Sequence, residues 1–253
     1  MKDIFDTYID NAFGKREQAV FKFDDFEYNY RKFFPSNAAA KLLDIGIGRG
    51  EMLSCMKEWG YADYLGVDIS PSTVSFCTSI GLNCHLVEDT VQWLTDGRES
   101  TYDVITLLDV LEHIRKEDVI PFLRGLYKAL APGGKIIIQL PNMQAPDAQL
   151  HRYNDFTHEV GFIENSLRQV LISAGMANFE LHGFEDAYRR NFKTRVRFHL
   201  RNSYWRCIRL LRKVNANLNP LILNPIFFAV VHKVPLTDQK SLDQLGSLLP
   251  EEV

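Results

Sequence analysis

The chain has 253 residues, 46% of them apolar and 24% charged, enough for one large domain with its own core and an elaboration. Four scattered cysteines, Cys55, Cys77, Cys84 and Cys207, exclude a disulfide framework or zinc knuckle and suit a reducing cytoplasm; the N-terminal residues carry no signal-peptide pattern, and no apolar run reaches bilayer length. The net charge of −3 hides an asymmetry: residues 1–186 hold 17 Lys+Arg against 28 Asp+Glu, whereas residues 187–253 hold 12 against 4.

Residues 1–40 are rich in aromatic and charged residues and read as a helical cap, with a break near Pro35-Ser-Asn. From 41 to 140, apolar runs alternate with helical patterns. Strands are expected over 41–45, 64–67, 83–87, 104–108 and 135–140, and helices over 51–59, 72–79 and 119–130. Strand–helix alternation implies a parallel sheet covered by helices on both faces, with right-handed crossovers. The first strand runs into Asp44-Ile-Gly-Ile-Gly-Arg-Gly50, where glycines allow a tight turn to press its backbone onto a ligand. A dinucleotide fingerprint would place a third glycine at 51, but that residue is Glu51. Ala131-Pro-Gly-Gly-Lys135 ends a helix and starts the fifth strand. A helix over 165–174 stops at Gly175, and the last two strands are expected over 178–184 and 226–234.

Residues 187–224 form an insertion too long for a hairpin turn. Phe192, Val196, Leu200, Tyr204, Ile208 and Leu211 recur at helical spacing among ten Lys or Arg between 187 and 213. Three readings stand: a lid packing this stripe on the body with its arginines in solvent, a site for an anionic substrate, or a helix lying on an acidic membrane leaflet, which Trp205 suits. Nucleic acid is not an expected partner, because the body is acidic and carries no recognised binding motif. Residues 225–235 return to the core, and 236–253 read as a polar tail.

The G-x-G-x-G turn after an acid resembles motif I of the class I S-adenosylmethionine-dependent methyltransferases. Leu-x-Pro-Gly-Gly before strand five, Asp-Val-Leu-Glu-His-Ile and Leu-Pro-Asn resemble the same class, over residues 40–180. The resemblance implies a Rossmann-like sheet of seven strands, mainly parallel, with the last strand antiparallel. It implies S-adenosyl-L-methionine as cofactor and S-adenosyl-L-homocysteine as product. Gly46, Ile47, Gly48 and Gly50 would then cradle the amino-acid end. Asp44 would sit near its ammonium or orient the turn, and Gly50 reads equally as a packing glycine. Asp68 would accept from the ribose diol, with Ile69 on the adenine face. Asp89, followed by Thr90, would accept from the adenine amine. Leu108 and Asp109 would lie at the methionine end. Each acid alone reads equally well as a helix N-cap.

The acceptor segment is residues 150–162, which follows strand five and gathers His151, Arg152, Tyr153, Asp155, His158 and Glu159. An alcohol acceptor needs a base, and a histidine titrates near neutrality. His158 is the leading base, Asp155 its orienting partner, Tyr153 a further candidate and His113 the second base. Asp155 and Thr157 read alternatively as turn caps. No metal is expected; magnesium on His151, His158, Asp155 and Glu159 is the lesser alternative. The Asp-x-Thr-His element resembles methyltransferases that decorate bacterial surface sugars, which implies O-methylation of a sugar hydroxyl or phosphate-type group on an anionic acceptor in capsule or O-antigen assembly. Alternatives are a quinone- or polyketide-type metabolite as acceptor, or a non-catalytic partner of a glycosyltransferase.

Overall fold

The computed structural model describes residues 23–186, 192–215 and 222–234. The first half of the cap, Arg189, Arg190 and the tail over 236–253 lie outside the described residues. Seven strands form one sheet: β1 (Leu42–Ile45), β2 (Tyr64–Asp68), β3 (Cys84–Leu86), β4 (Tyr102–Leu108), β5 (Leu130–Pro141), β6 (Phe179–Gly183) and β7 (Ile226–His232). Their order is β3-β2-β1-β4-β5-β7-β6. The first five pair in parallel, and β7 runs antiparallel to both β5 and β6.

The helices are α1 (Phe23–Tyr30), α2 (Glu51–Glu58), α3 (Pro71–Ser79), α4 (Thr90–Thr95), α5 (Val119–Ala129), α6 (Ala148–Tyr153), α7 (Glu164–Ser173) and α8 (Phe192–Val214). The pleat sorts side chains onto two cores. Leu43, Ile45, Ile105, Leu107, Ile136 and Ile138 face the helices α4, α5 and α7. Leu42, Val104, Ile137, Phe228 and Val230 face α1, α2 and α3. The alternation also places Asp44, Thr106 and Gln139 on the α1–α3 side, where apolar neighbours would otherwise be expected.

Two expected boundaries shift. The Pro-Gly-Gly element is not a break before β5 but lies within it. Tyr102 pairs with Leu130 and Val104 with Lys135, so the intervening residues bulge, and Gly133 turns at φ +78°. Pro71 begins α3, where its missing N–H costs nothing, and Ser70 caps that helix through Thr73.

The insertion helix α8 packs on a different face from the one its apolar stripe suggests. Trp205 is buried and Phe198, Arg201, Ile208 and Arg212 are half-buried. Phe192, Leu200, Tyr204 and Leu211 are exposed, so the stripe points away from the body and the lid reading with buried stripe does not hold. Arg201 decides the rotation. It ion-pairs with Glu185 at 2.6 Å and Asp186 at 3.0 Å and lies 4.7 Å over the Trp205 ring. Arg212 adds a bond to the Gln144 carbonyl at 2.7 Å.

Candidate active site

The glycine turn sits where the strand order reverses between β1 and β4, the place where open α/β sheets take ligands. Gly46 has φ +72° and Gly48 +50°, a region glycine enters without strain. A Cβ on Gly46 would lie 2.3 Å from a Val110 methyl, so this glycine lets the turn close onto the end of β4. Gly50 differs: its Cβ would meet Leu82 at 2.3 Å, so it packs the start of α2 against the core and is absent from the cavity lining.

Beneath the turn Asp44 is buried and pairs across the sheet with Thr106, whose hydroxyl donates to Oδ1 at 2.6 Å. Burial pushes its carboxyl up to about 8; the Thr106 bond opposes this, while Glu51 and Asp68 add to it. Burial thus disfavours its charge, and a cation placed beside it would restore the charged form. Asp68 accepts from the Ser70 amide at 2.8 Å, and the amides of Ile47, Gly48 and Ile69 also turn toward it; burial still outweighs them and raises its carboxyl. Asp89 is exposed and caps α4 by accepting from the Gln92 amide at 2.9 Å. Asp109 ends β4 at φ +55°, uncommon for a residue with a side chain. Gln139 holds it there: its carbonyl accepts from the Asp109 amide at 3.1 Å, and its Nε2 donates to Oδ2 at 2.7 Å. Tyr30 of the cap donates in turn to Gln139 Oε1.

A single cavity of about 1440 Å³ runs from Asp68, Ile69, Asp89 and Thr90 past Leu108 and Asp109 to Glu112, His113, Asp155 and His158. Ordinary ligand pockets are about 300–1,000 Å³, so this one has room for two ligands end to end. At the far end a single 3-10 turn, Leu111–His113, carries Glu112 and His113. The amides of Glu159 and Val160 donate to the Glu112 carbonyl at 2.8 and 3.0 Å, which clamps the 155–162 segment onto that turn. His113 and His158 thereby stand with ring centroids 4.8 Å apart. Thr157 gives its hydroxyl proton to Asp155 at 2.6 Å and faces His113 Nδ1 at 2.8 Å, so it accepts from Nδ1–H. Burial, and then His158, lower the His113 pKa, so the imidazole is neutral at neutral pH.

The family model described as a methyltransferase domain matches residues 22–181. The chain belongs to that methyltransferase family. Its relatives include the ubiquinone biosynthesis O-methyltransferase of Aliivibrio fischeri, 31% identical over 106 residues, 40% of this chain and 44% of that protein. Another is phosphoethanolamine N-methyltransferase 3 of Arabidopsis thaliana, 34% identical over 119 residues, 44% of this chain and 24% of the relative. The match thus spans less than half of either relative. Among solved structures, a SAM-dependent methyltransferase from Archaeoglobus fulgidus superposes with a TM-score of 0.64 at 22% identity, covering 91% of this chain and 99% of that one. One from Mesorhizobium loti gives 0.56 at 16%, covering 83% and 98%. These likenesses share the fold.

The residues of this methyltransferase fit S-adenosylmethionine. The buried Asp44 carboxyl and the glycine turn suit the ammonium and its backbone. Asp68 suits the ribose diol, and Ile69 with Asp89 flanks the adenine position. When bound, the cofactor would supply an electrophilic methyl on a sulfonium. Several expectations move. Tyr153 is 79% exposed and is not in the cavity lining, so it is withdrawn from the acceptor end. Asp155 orients His113 through Thr157, whereas His158 turns Nδ1 to the Arg152 carbonyl at 3.3 Å. His151 lines the cavity, but neither it nor Glu159 belongs to the histidine–carboxylate cluster. No described residue of α8 lines the cavity. Four residues at the site went unassigned in the sequence: Tyr30, Thr106, Glu112 and Gln139. The signal for Thr106 and Gln139 was a lone polar residue inside an apolar strand.

Proposed function

We propose that this protein is an S-adenosylmethionine-dependent O-methyltransferase acting on a hydroxyl of a small metabolite of quinol or phenol type. The observation that carries the reading is the Asp155–Thr157–His113 relay beside His158, at the end of the cavity away from the cofactor cradle. An alcohol or phenol must lose a proton as it attacks, whereas an amine attacks through its lone pair. A neutral imidazole fixed by a relay suits the first task. Methyl transfer is an in-line displacement, so holding both ligands in one cavity supplies alignment as well. The name of the Aliivibrio fischeri relative points to small-molecule O-methylation, and no relative reported above is named for polysaccharide work. The test is to incubate the enzyme with cofactor and, separately, a catechol or quinol, a nucleotide sugar and phosphoethanolamine, and to read methylated product by mass spectrometry. Product from the phenolic acceptor alone supports the reading. Transfer only to the sugar or only to the amine sinks it.

The exposed face of α8 favours an acceptor met at a membrane. Phe192, Val196, Leu200, Leu210, Leu211 and Val214 share one outward face, flanked by Lys193 and Arg197 on one side and Arg195, Arg206 and Lys213 on the other. A basic amphipathic helix with its apolar face free fits an anionic lipid surface. No helix among the described residues is long and apolar enough to cross a membrane. Cosedimentation with vesicles containing phosphatidylglycerol should exceed that with pure phosphatidylcholine and fall with salt, and Leu200→Glu should abolish it. Equal binding to both vesicles, or none, refutes the lipid assignment.

A further inference from the structure

We propose that Glu112, His113 and His158 form a binding site for a divalent d-block cation of zinc class, at the acceptor end of the same cavity. Glu112 poses the problem that the cation solves. Its side chain is 3% exposed, lines the cavity, and has no hydrogen-bond partner at either carboxylate oxygen among the described residues; its own backbone amide approaches without meeting hydrogen-bond geometry. A buried carboxyl left so is costly whether ionised or protonated. One potential ligand atom from each of Glu112, His113 and His158 lies within 4.8 Å of the others, close enough for one ion to draw all three in.

The tautomers agree with this. Thr157 spends its only proton on Asp155 and so takes Nδ1–H of His113, which leaves the lone pair of that ring on Nε2. His158 Nδ1 faces the Arg152 carbonyl, which can only accept, so Nδ1 carries the proton and its lone pair is also on Nε2. Metal-bound histidines are commonly fixed in this way, with the other nitrogen donating to a carbonyl, hydroxyl or carboxylate. Two imidazoles and one carboxylate suit zinc, iron(II), cobalt(II) or manganese(II) more than magnesium or calcium, and three protein ligands leave coordination positions open.

The inference rests on the O-methylation reading and deepens it. An acceptor hydroxyl in an open position is made more acidic by the cation. Its proton passes to water, the oxygen attacks the methyl carbon, and the carbon–sulfur bond breaks with its electron pair staying on sulfur. One hydroxyl and one sulfonium become one ether, S-adenosylhomocysteine and one proton. In this form of the O-methylation reading the histidines hold the ion instead of taking the proton themselves, and the ion lowers the barrier to proton loss.

The experiment uses the full chain stripped with EDTA and saturated with S-adenosylhomocysteine. It is titrated with cobalt(II) while d–d absorption is recorded, and with zinc(II) and magnesium(II) by calorimetry. Expected are one cobalt or zinc per chain, magnesium bound far more weakly, and in both Glu112→Gln and His158→Ala a loss of cobalt affinity exceeding the roughly 10–100-fold typical when only an outer-shell partner of a metal ligand is removed. Retained S-adenosylhomocysteine binding shows that each variant is folded; His158 is only half-buried, so that variant is expected to keep its fold whatever Glu112→Gln does. No stoichiometric cobalt, or unchanged affinity in either folded variant, overturns the site. The two readings separate cleanly. Metal binding without methylation of any hydroxyl leaves this site standing and removes the O-methylation reading. Full O-methylation by the metal-free enzyme, together with no stoichiometric cobalt, does the reverse.

Discussion

Replacing Asp44 by Asn tests the cofactor cradle through its protons. Asp44 is buried, and its carboxyl lies near 8 instead of its ordinary 3.8, chiefly because burial penalises the charge. One unit below that value it is about nine-tenths protonated. A ligand ammonium beside it favours the charged form, so binding should expel about 0.9 proton per ligand at pH 7 and about one at pH 6. Affinity should then rise about tenfold per pH unit between pH 6 and 7, and level off above 8. Stability of the free protein carries the opposite sign. A carboxyl raised in the folded state holds its proton there while the unfolded chain has lost it. Its contribution is complete below 3.8 and drains by about 1.4 kcal/mol per pH unit until pH passes 8. Calorimetry with S-adenosylhomocysteine in buffers of different ionisation enthalpy reads the proton directly. In Asp44→Asn the release should vanish, the affinity should become flat with pH and weaker, and the fall in thermal stability of the free protein toward pH 8 should flatten. A variant that still expels a full proton, or a native protein that expels none at pH 6, refutes the reasoning.

Gly46→Ala should cost about 3 kcal/mol in chemical denaturation, from a positive φ and a methyl driven into Val110, and should abolish S-adenosylhomocysteine binding; an unchanged midpoint would place the turn elsewhere. Tyr30→Phe leaves Gln139 Oε1 without its buried donor and should lose about 1–3 kcal/mol of stability, with a drop in turnover larger than any change in acceptor KM if Asp109 is thereby loosened. Trp205→Ala removes the largest anchor of α8 and should destabilise by about 3 kcal/mol, raising amide exchange along α8 while cofactor affinity stays put; weakened cofactor binding would count against the separation of α8 from the cavity. Asp155→Asn offers Thr157 a competing donor and should cut turnover at least tenfold through a wrong His113 tautomer; an unaltered pH profile of kcat would show that the relay is idle.

The sheet was legible because buried parallel strands and amphipathic helices write different periods into the chain, and because the glycines at 46 and 48 mark a turn few other residues tolerate. The bonds that tune the site were not. Tyr30 meets Gln139 across 109 positions and Thr106 meets Asp44 across 62, and no local pattern encodes such pairs. Thr106 and Gln139 did leave a trace, as lone polar residues within Val-Ile-Thr-Leu-Leu and Ile-Ile-Ile-Gln-Leu. Their step from Asp44 follows the pleat, so all three emerge on one face of the sheet. For α8 the period gave the helix but not its rotation. A large aromatic and an arginine facing Glu185 and Asp186 outweighed the five stripe residues left exposed, since two acids and a ring bind one guanidinium more specifically than any stripe binds a surface.

The two buried carboxyls explain why one cavity can hold two different reactants without confusing them. Asp44 accepts from Thr106 on one oxygen and lies beneath the glycine turn, where an ammonium attached to a chain would fit. Glu112 has no such hydroxyl and faces two imidazoles fixed with their lone pairs on Nε2. Between them Asp109 is held at a positive φ by Gln139 and, through it, by Tyr30 of the cap. Asp109 thus lines the cavity between the two carboxyls with its backbone held in a sparsely populated conformation. The residues that fit the cofactor sit on β1, β2 and the β3–α4 junction, whereas those proposed to face the acceptor hang from β4 and the segment after β5. Substitution at 112–113 or 155–158 can therefore change the acceptor chemistry while leaving the glycine turn intact, which is why that turn identifies the methyl donor and carries no information about where the methyl goes.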